Sequence, residues 1–277
     1  MRFTIDSNKS VSENAEYYYR KSKKAKRKIT GARKALEKTR KKLDELDKSD
    51  VVEKKIPKKK KPKRKKRWFE SFRFFESSDN LLVVGGKDAS TNESLIKKHT
   101  TKDDLVFHSH VQGAPFFVVK NPKGVEVPDS TRMEAAQAAA SYSKAWSQGI
   151  GSVDVYEVGP EQVSKDAPAG EYLGKGAFMI YGRKKWHRNT PMGVAVGFRI
   201  DDDKVDVYGG PVNAVKAKAD YFVELTPGRK KSKELASEIR DKIRSMAKKD
   251  LCEVINRVDL QDIQRLIPSG RGRIRRN

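Results

Sequence analysis

The sequence holds a single cysteine, Cys252, so no internal disulfide can form. Its helix-like surroundings read as a half-buried thiol rather than a nucleophile. No apolar run approaches the roughly 18 residues that span a bilayer, and MRFTIDSNKS has no stretch of the kind a secretory signal carries. No membrane partner is expected, and a reducing cytoplasm is the expected setting. Also missing are a GxSxG elbow, a GxxxxGK(S/T) loop and a GxGxxG fingerprint, and Gly85-Gly86-Lys87-Asp88 is too short to stand for a phosphate loop. Enzyme chemistry therefore has no motif to rest on, and neither a cofactor nor a metal is expected.

Acid is scarce relative to base. Against 61 Lys and Arg stand 37 Asp and Glu, a formal charge of +24 over 277 residues. Such a chain repels itself unless a polyanion supplies counter-charge, and nucleic acid is the expected one. A charged fraction of 35% and a mean hydropathy of -0.79 also place part of the chain outside any packed core.

Between Val11 and Leu46 one set of positions advances by alternating steps of four and three: Val11, Ala15, Tyr18, Ser22, Ala25, Ile29, Ala32, Leu36, Thr39, Leu43 and Leu46. This is a heptad seam, impure at Ser22 and Thr39 and flanked by Lys and Arg, and it predicts a long helix in need of a partner. Ser10 with Glu13 supplies a capping box for its start. A solvated charged helix without a partner is the alternative. From Lys54 to Arg67, KKIPKKKKPKRKKR carries eleven basic residues, no acid and two prolines. It predicts an extended, disordered linker that adds affinity for phosphate backbones with little sequence information.

At Trp68 the composition changes. FRFFESSDNLLVVGG predicts a β-hairpin turning at Ser77 to Asn80. A short helix from about Thr91, strands near Leu105 to His108 and at Phe116 to Val119, and a helix in TRMEAAQAAASYSKAWSQG closed at Gly149 follow. Further strands are expected at Ser152 to Tyr156, Ala177 to Ile180, Val194 to Ile200, Lys204 to Tyr208 and Tyr221 to Leu225, with Asp201-Asp202-Asp203 as a turn. A helix from Ser232 to Lys248 and a short one near Leu260 complete the unit, and GRGRIRRN reads as a flexible basic tail. The expected fold is α+β, a mixed sheet with flanking helices. The expected organisation is a coiled-coil arm over 1–50, a basic Lys/Pro linker over 51–67, an RNA-binding domain over 68–268 and a tail over 269–277.

Two histidines, His108 and His110, stand two apart in FHSHVQG, on one face if the strand continues. They could serve as an acid–base pair or as metal ligands, but His99 and His187 are distant in sequence and no third ligand is evident. A hydrolase acting on RNA through this pair is the lesser alternative. The stronger pattern is basic side chains interleaved with aromatics: Trp68, Phe69 and Arg73, then Arg183, Lys184, Lys185 and Trp186 in YGRKKWHR. Lys and Arg neutralise phosphates and exposed rings stack on unpaired bases. Phe72, Phe74 and Phe75 are expected to include core residues, and any one Trp is more often packed than stacking. Lys120 and Lys165 are further basic candidates.

In their order, WFESFRFF, LLVVGGKDASTNESLIKKH, DLVFHSHVQGAPFFVVKNP, PDSTRMEAAQAAASYSKAW and VSKDAPAGEYLGKGAFMIYGRKKW resemble the NFACT family of ribosome quality-control factors. That family is known as RqcH in bacteria and archaea and NEMF in animals. The motifs cover its RNA-binding NFACT-R domain nearly end to end, and SVSENAEYYYRKSKKAKRKITGARKAL resembles the start of its coiled-coil arm. The resemblance implies a non-enzymatic factor that binds the rRNA of a large ribosomal subunit still carrying peptidyl-tRNA after a stalled ribosome splits, together with tRNA. It places Trp68, Phe69, Arg73, Gly86, Lys87, Asp88, Asn92, His108, His110 and Gly113 at recurrent motif positions, some of them structural. Lys87 stands where relatives commonly have Arg, and His110 where they commonly have an acid. The N-terminal NFACT-N domain is expected to be lacking; an adaptor whose arm pairs with a separately encoded NFACT-N chain is the alternative reading.

Overall fold

The computed structural model describes residues 4–7, 10–48, 67–111, 113–166, 173–201 and 204–275. It divides into two units, residues 1–64 and 65–277. Of the linker expected over 51–67 only Arg67 is among the described residues, and the expected turn at Asp202-Asp203 also lies outside them.

Among its described residues the first unit holds one helix, α1 (Val11–Lys48). Ser10 opens it as the sequence predicts: its hydroxyl accepts from the Glu13 amide at 3.3 Å, and the Glu13 carboxylate accepts from the Ser10 amide at 2.8 Å. The ion pair Lys41–Glu37, one turn apart, supports the exposed face. The seam residues Val11, Ile29 and Leu36 are exposed.

In the second unit the hairpin is β1 (Arg73–Glu76) and β2 (Leu82–Gly85), followed by α2 (Ala89–His99), β3 (Leu105–Ser109) and β4 (Phe116–Val119). The alanine-rich stretch is two helices, α3 (Asp129–Ser141) and α4 (Ala145–Gln148). After these come β5 (Ser152–Val158), the short β6 (Val163–Ser164) and β7 (Met179–Ile180), then β8 (Lys185–Pro191), β9 (Val194–Asp201) and β10 (Lys204–Gly210). Helix α5 (Val212–Lys216), β11 (Tyr221–Lys231), α6 (Ser232–Met246), α7 (Cys252–Asn256), α8 (Leu260–Gln264) and β12 (Arg271–Ile274) finish the unit.

The α+β class holds, but the strands are divided among three sheets, ordered β1-β2-β4-β3-β5-β8, β10-β9-β11-β12 and β6-β7. Every pairing among the described strands is antiparallel. Helix α3 packs between the two larger sheets, touching β3, β4, β5 and β8 of one and β9 of the other. Ala135, Ala136, Ala138, Ala139 and Ala140 are all buried there, which lets backbones on several sides approach. The break before α4 follows from tertiary bonds. Ser141 exchanges hydrogen bonds with the Gly193 backbone, the Tyr142 hydroxyl donates to the Leu266 carbonyl at 2.8 Å, and the Trp146 indole donates to the Arg271 carbonyl at 2.6 Å. No side chain caps the start of α3. Ser130 and Thr131 instead each donate to Asp79 at 2.6 Å, tying the helix to the β1–β2 turn and holding the Asp79 pKa below its ordinary value.

Two expectations fail locally. Lys185–Pro191 is a strand, and the stretch read as a flexible tail contains β12, registered on β11 through Leu225–Ile274 and Lys231–Arg271. Its arginines alternate outward while Gly272 fits against Leu235 and Trp146, a pattern without the apolar residues that announce a strand.

Candidate nucleic-acid interface

Side chains alternate across a strand, so residues in register on neighbouring strands line one face. On the α2 face of the larger sheet the register sets His108 opposite both Phe116 and Tyr156, and Tyr156 opposite Trp186. Four rings therefore form a row from β4 across β3 and β5 to the edge strand β8, with centroids 4.4, 5.6 and 5.5 Å apart. Phe178 meets the Phe116 end edge-on at 5.5 Å.

The Trp186 end is cationic. The Lys184 ammonium lies 4.6 Å from the centre of the Tyr156 ring, the Arg188 guanidinium 4.3 Å from that of Trp186, and the His110 ring 6.2 Å from it. Arg183 precedes Lys184 as an exposed residue, whereas exposed Lys185 alternates to the opposite face of β8 and reaches toward buried Glu157 at 4.0 Å. Arg188 also pairs with Asp154 at 2.6 Å. Because β8 is the sheet's edge, this end of the row is open. Its cations can neutralise phosphates while half-buried Trp186 offers ring surface to a base.

His108 is a structural member of the row. The Ala114 carbonyl, 3.1 Å from Nε2, can only accept, so Nε2 carries the proton; Nδ1 then accepts from the Tyr156 hydroxyl at 3.2 Å. Burial pushes the His108 pKa down to about 4 and the Tyr156 pKa up to about 12, so both are neutral near pH 7. The His108–His110 pair foreseen for acid–base or metal chemistry does not form. Strand β3 ends at Ser109, and the His110 side chain is exposed just past that end while both His108 nitrogens are engaged. Among the described residues no group of three His, Cys, Asp or Glu is placed to hold a metal.

The other candidates separate by their partners. Lys120 is an internal strut, paired with buried Asp104 and donating to the His99 carbonyl at 2.6 Å. Lys165 lies on the Phe178 ring at 4.8 Å, bonds the Gly174 carbonyl at 3.0 Å and faces Glu93 at 3.7 Å. Gly86 is required because a Cβ would fall 1.8 Å from Oδ1 of Asn92, which itself accepts from the Phe116 amide at 3.2 Å. Asp88 caps α2 through the Thr91 amide at 2.9 Å. Gly113 has φ +72°, a left-handed position. Trp68 stacks on His99 at 4.3 Å, Phe69 packs edge-on against Phe74 at 4.8 Å, and the Lys87 ammonium donates to the Ser71 carbonyl at 2.8 Å. Arg73 lies over the Tyr142 ring, 4.9 Å from its centre. Trp68, Arg73 and Lys87 are thus apart from the β8 cluster, in the region of β1. Tyr156 and Arg188, which complete the row, were not singled out in the sequence; alternation along β5 and β8 is the signal that places them.

Comparison with known proteins agrees with this composition. A model described as "NFACT protein RNA binding domain" matches residues 71–182, and one described as "NFACT N-terminal and middle domains" matches residues 1–64. The second match overturns the expectation that NFACT-N sequence is lacking, because it falls on the arm. The archaeal Rqc2 homolog aRqcH of Methanocaldococcus jannaschii is 39% identical over 204 residues, 74% of this chain and 29% of that protein. The ribosome quality control complex subunit NEMF homolog of Drosophila melanogaster is 36% identical over 212 residues, 74% of this chain and 21% of that one. The chain thus spans less than a third of the length of these relatives. A solved structure, the C-terminal part of the fibronectin/fibrinogen-binding protein from Streptococcus suis, aligns with a TM-score of 0.37 at 20% identity, covering 67% of this chain and 78% of that one.

Proposed function

The chain belongs to the NFACT family, and from that membership and the basic, ring-lined edge of β8 we propose that it is a non-enzymatic RNA-binding component of ribosome-associated quality control. It grips rRNA of the large subunit, and tRNA or peptidyl-tRNA, on ribosomes that have stalled and split in the cytoplasm. Residues 68–275, β12 included, act as the RNA-binding domain, 51–67 as a basic linker and 1–50 as an arm. The observation that carries the reading is the aromatic row ending in Lys184, Trp186 and Arg188 on β8, an edge strand among the described residues. A catalytic role for His108 is disfavoured because its two nitrogens are taken and burial keeps it neutral.

Sedimentation of the full chain with intact ribosomes, split large subunits and large subunits bearing peptidyl-tRNA, over a salt series, tests this. Preferential, salt-resistant association with the last is expected. Binding no better than to unrelated RNA of equal length at every salt concentration overturns it.

A second reading, an adaptor that captures a partner helix through the arm, is favoured by the exposure of Val11, Ile29 and Leu36 along α1. It requires that substituting these residues with Ser abolish partner capture by the full chain while leaving RNA binding unchanged.

A further inference from the structure

A cleft of about 770 Å³ lies between the edge strands β1 and β10 of the two larger sheets, away from the β8 edge. Its walls are rich in rings, among them Phe69, Phe74, Phe75, Tyr142 and Tyr208. Phe74 is 43% exposed, an open apolar face on a strand edge rather than a core residue. Into this setting projects Arg73, stacked on Tyr142. The Tyr142 ring is fixed in turn by its hydroxyl's bond to the Leu266 carbonyl at 2.8 Å.

Arg73 is the anomaly. Its Nε is shielded from solvent and has no hydrogen-bond partner among the described residues, nor does the guanidinium join an ion pair there. Nε is one of the five donors of the guanidinium's rigid fork, and leaving a shielded donor unmade is costly. The carboxylates lining the same cleft are engaged elsewhere: Glu76 with Lys218 at 3.5 Å, Asp206 with Lys204 at 2.8 Å and Asp262 with Arg265 at 3.2 Å. Glu70 likewise has a partner. The cleft therefore offers ring faces, the uncommitted guanidinium of Arg73 with that of Arg67 at its rim over Phe69, and room within the roughly 300–1,000 Å³ of small-ligand sites.

We propose that this cleft, which wraps around the edge strand β1, receives one unpaired nucleotide, its base against Phe74 and Phe69 on one face of the strand and its phosphate on the fork of Arg73 on the other. A purely apolar occupant would leave the guanidinium unanswered. A phosphate alone would leave the rings unused. Charge-assisted pairing of Arg with phosphate and stacking of a base on aromatics are the two contacts such a ligand makes at once. The proposal deepens the RNA-binding reading but stands on a different surface, so the two can fail separately.

The test is calorimetric titration of the full chain with adenosine 5′-monophosphate, adenosine and a single-stranded rA6 oligomer, on wild type, Arg73→Gln, Arg73→Lys and Phe74→Ala. Duplex RNA binding and thermal unfolding are followed in parallel. Either the monophosphate or rA6 is expected to bind, at least tenfold more weakly to Arg73→Gln and to an intermediate degree to Arg73→Lys, with adenosine weaker than the monophosphate. Binding of the monophosphate assigns the cleft to free nucleotide as well, and binding of rA6 alone assigns it to a strand. The exposed Phe74→Ala change, which spares the core, should weaken the same ligand and leave duplex binding intact. Failure of both ligands to bind wild type, or equal binding by wild type, Arg73→Gln and Phe74→Ala, overturns the proposal. Loss of duplex binding by wild type counts against the β8 surface instead.

Discussion

The Tyr156 hydroxyl lies 3.2 Å from Nδ1 of His108, and the direction of that bond fixes the state of the ring. The hydroxyl donates because Nε2 already holds the imidazole's single proton against the Ala114 carbonyl. One phenol thus joins strands β3 and β5 and fixes the tautomer of a histidine that burial keeps neutral inside the aromatic row.

Tyr156→Phe removes the donor and leaves Nδ1 unanswered. The expected cost is about 1–2 kcal/mol, a fall in melting temperature of roughly 2–8 °C for a unit of this size. RNA affinity should change little, because the ring and the Lys184 contact survive. Calorimetric melting alongside filter binding checks both halves.

The depressed His108 pKa has a pH signature. The unfolded ring, near 6.5, takes up its proton before the folded ring does at about 4, so stability is fully present above about pH 6.5 and declines as pH falls toward 4. The loss from this group is on the order of 3 kcal/mol across the window. Urea unfolding at pH 7 and pH 5 should show the decline, and His108→Gln should flatten it.

Lysines that look alike in sequence separate by function. Replacing Arg183, Lys184 and Lys185 together with Ala should reduce the slope of log affinity against log salt by about 2 while leaving the melting temperature nearly unchanged. Lys120→Ala should do the reverse, leaving the slope intact and destabilising by roughly 3 kcal/mol because Asp104 is left buried without its cation. Equal slopes for wild type and the triple variant would remove the β8 edge as the RNA surface.

Gly86→Ala drives a methyl into the Asn92 amide. A destabilisation of roughly 2–4 kcal/mol is expected, partly relieved in the double variant with Asn92→Ala, where the clash is gone but the Phe116 amide loses its acceptor. A double-mutant cycle by chemical denaturation measures the coupling. Strict additivity would show that the two do not collide.

Much of this was legible in the residues, and the reasons differ by element. The hairpin was visible because Ser77 to Asn80 concentrate turn chemistry between alternating apolar runs, and α1 because its seam and its Ser10–Glu13 box agree. Strand β8 was not, since KWHRNTP presents polar side chains on both faces at a sheet edge, where little apolar alternation is demanded. The tail escaped for a related reason, Gly272 standing where a larger side chain would collide with Leu235. Of the site, Lys184, Lys185 and Trp186 were readable as charge beside an aromatic. The assignment of His108, Lys120 and Asn92 to the framework was not, because it depends on partners as far as 48 residues away in the chain.

The pairing of β12 with β11 bears on how the molecule is made. Synthesis delivers β11 first, and the stretch that completes its sheet and supplies the Arg271 carbonyl to Trp146 arrives only after α6, α7 and α8. During elongation the outer side of β11 is an open template and the Trp146 indole lacks its acceptor. Closure of the folded unit therefore waits on emergence of the segment around Ile274.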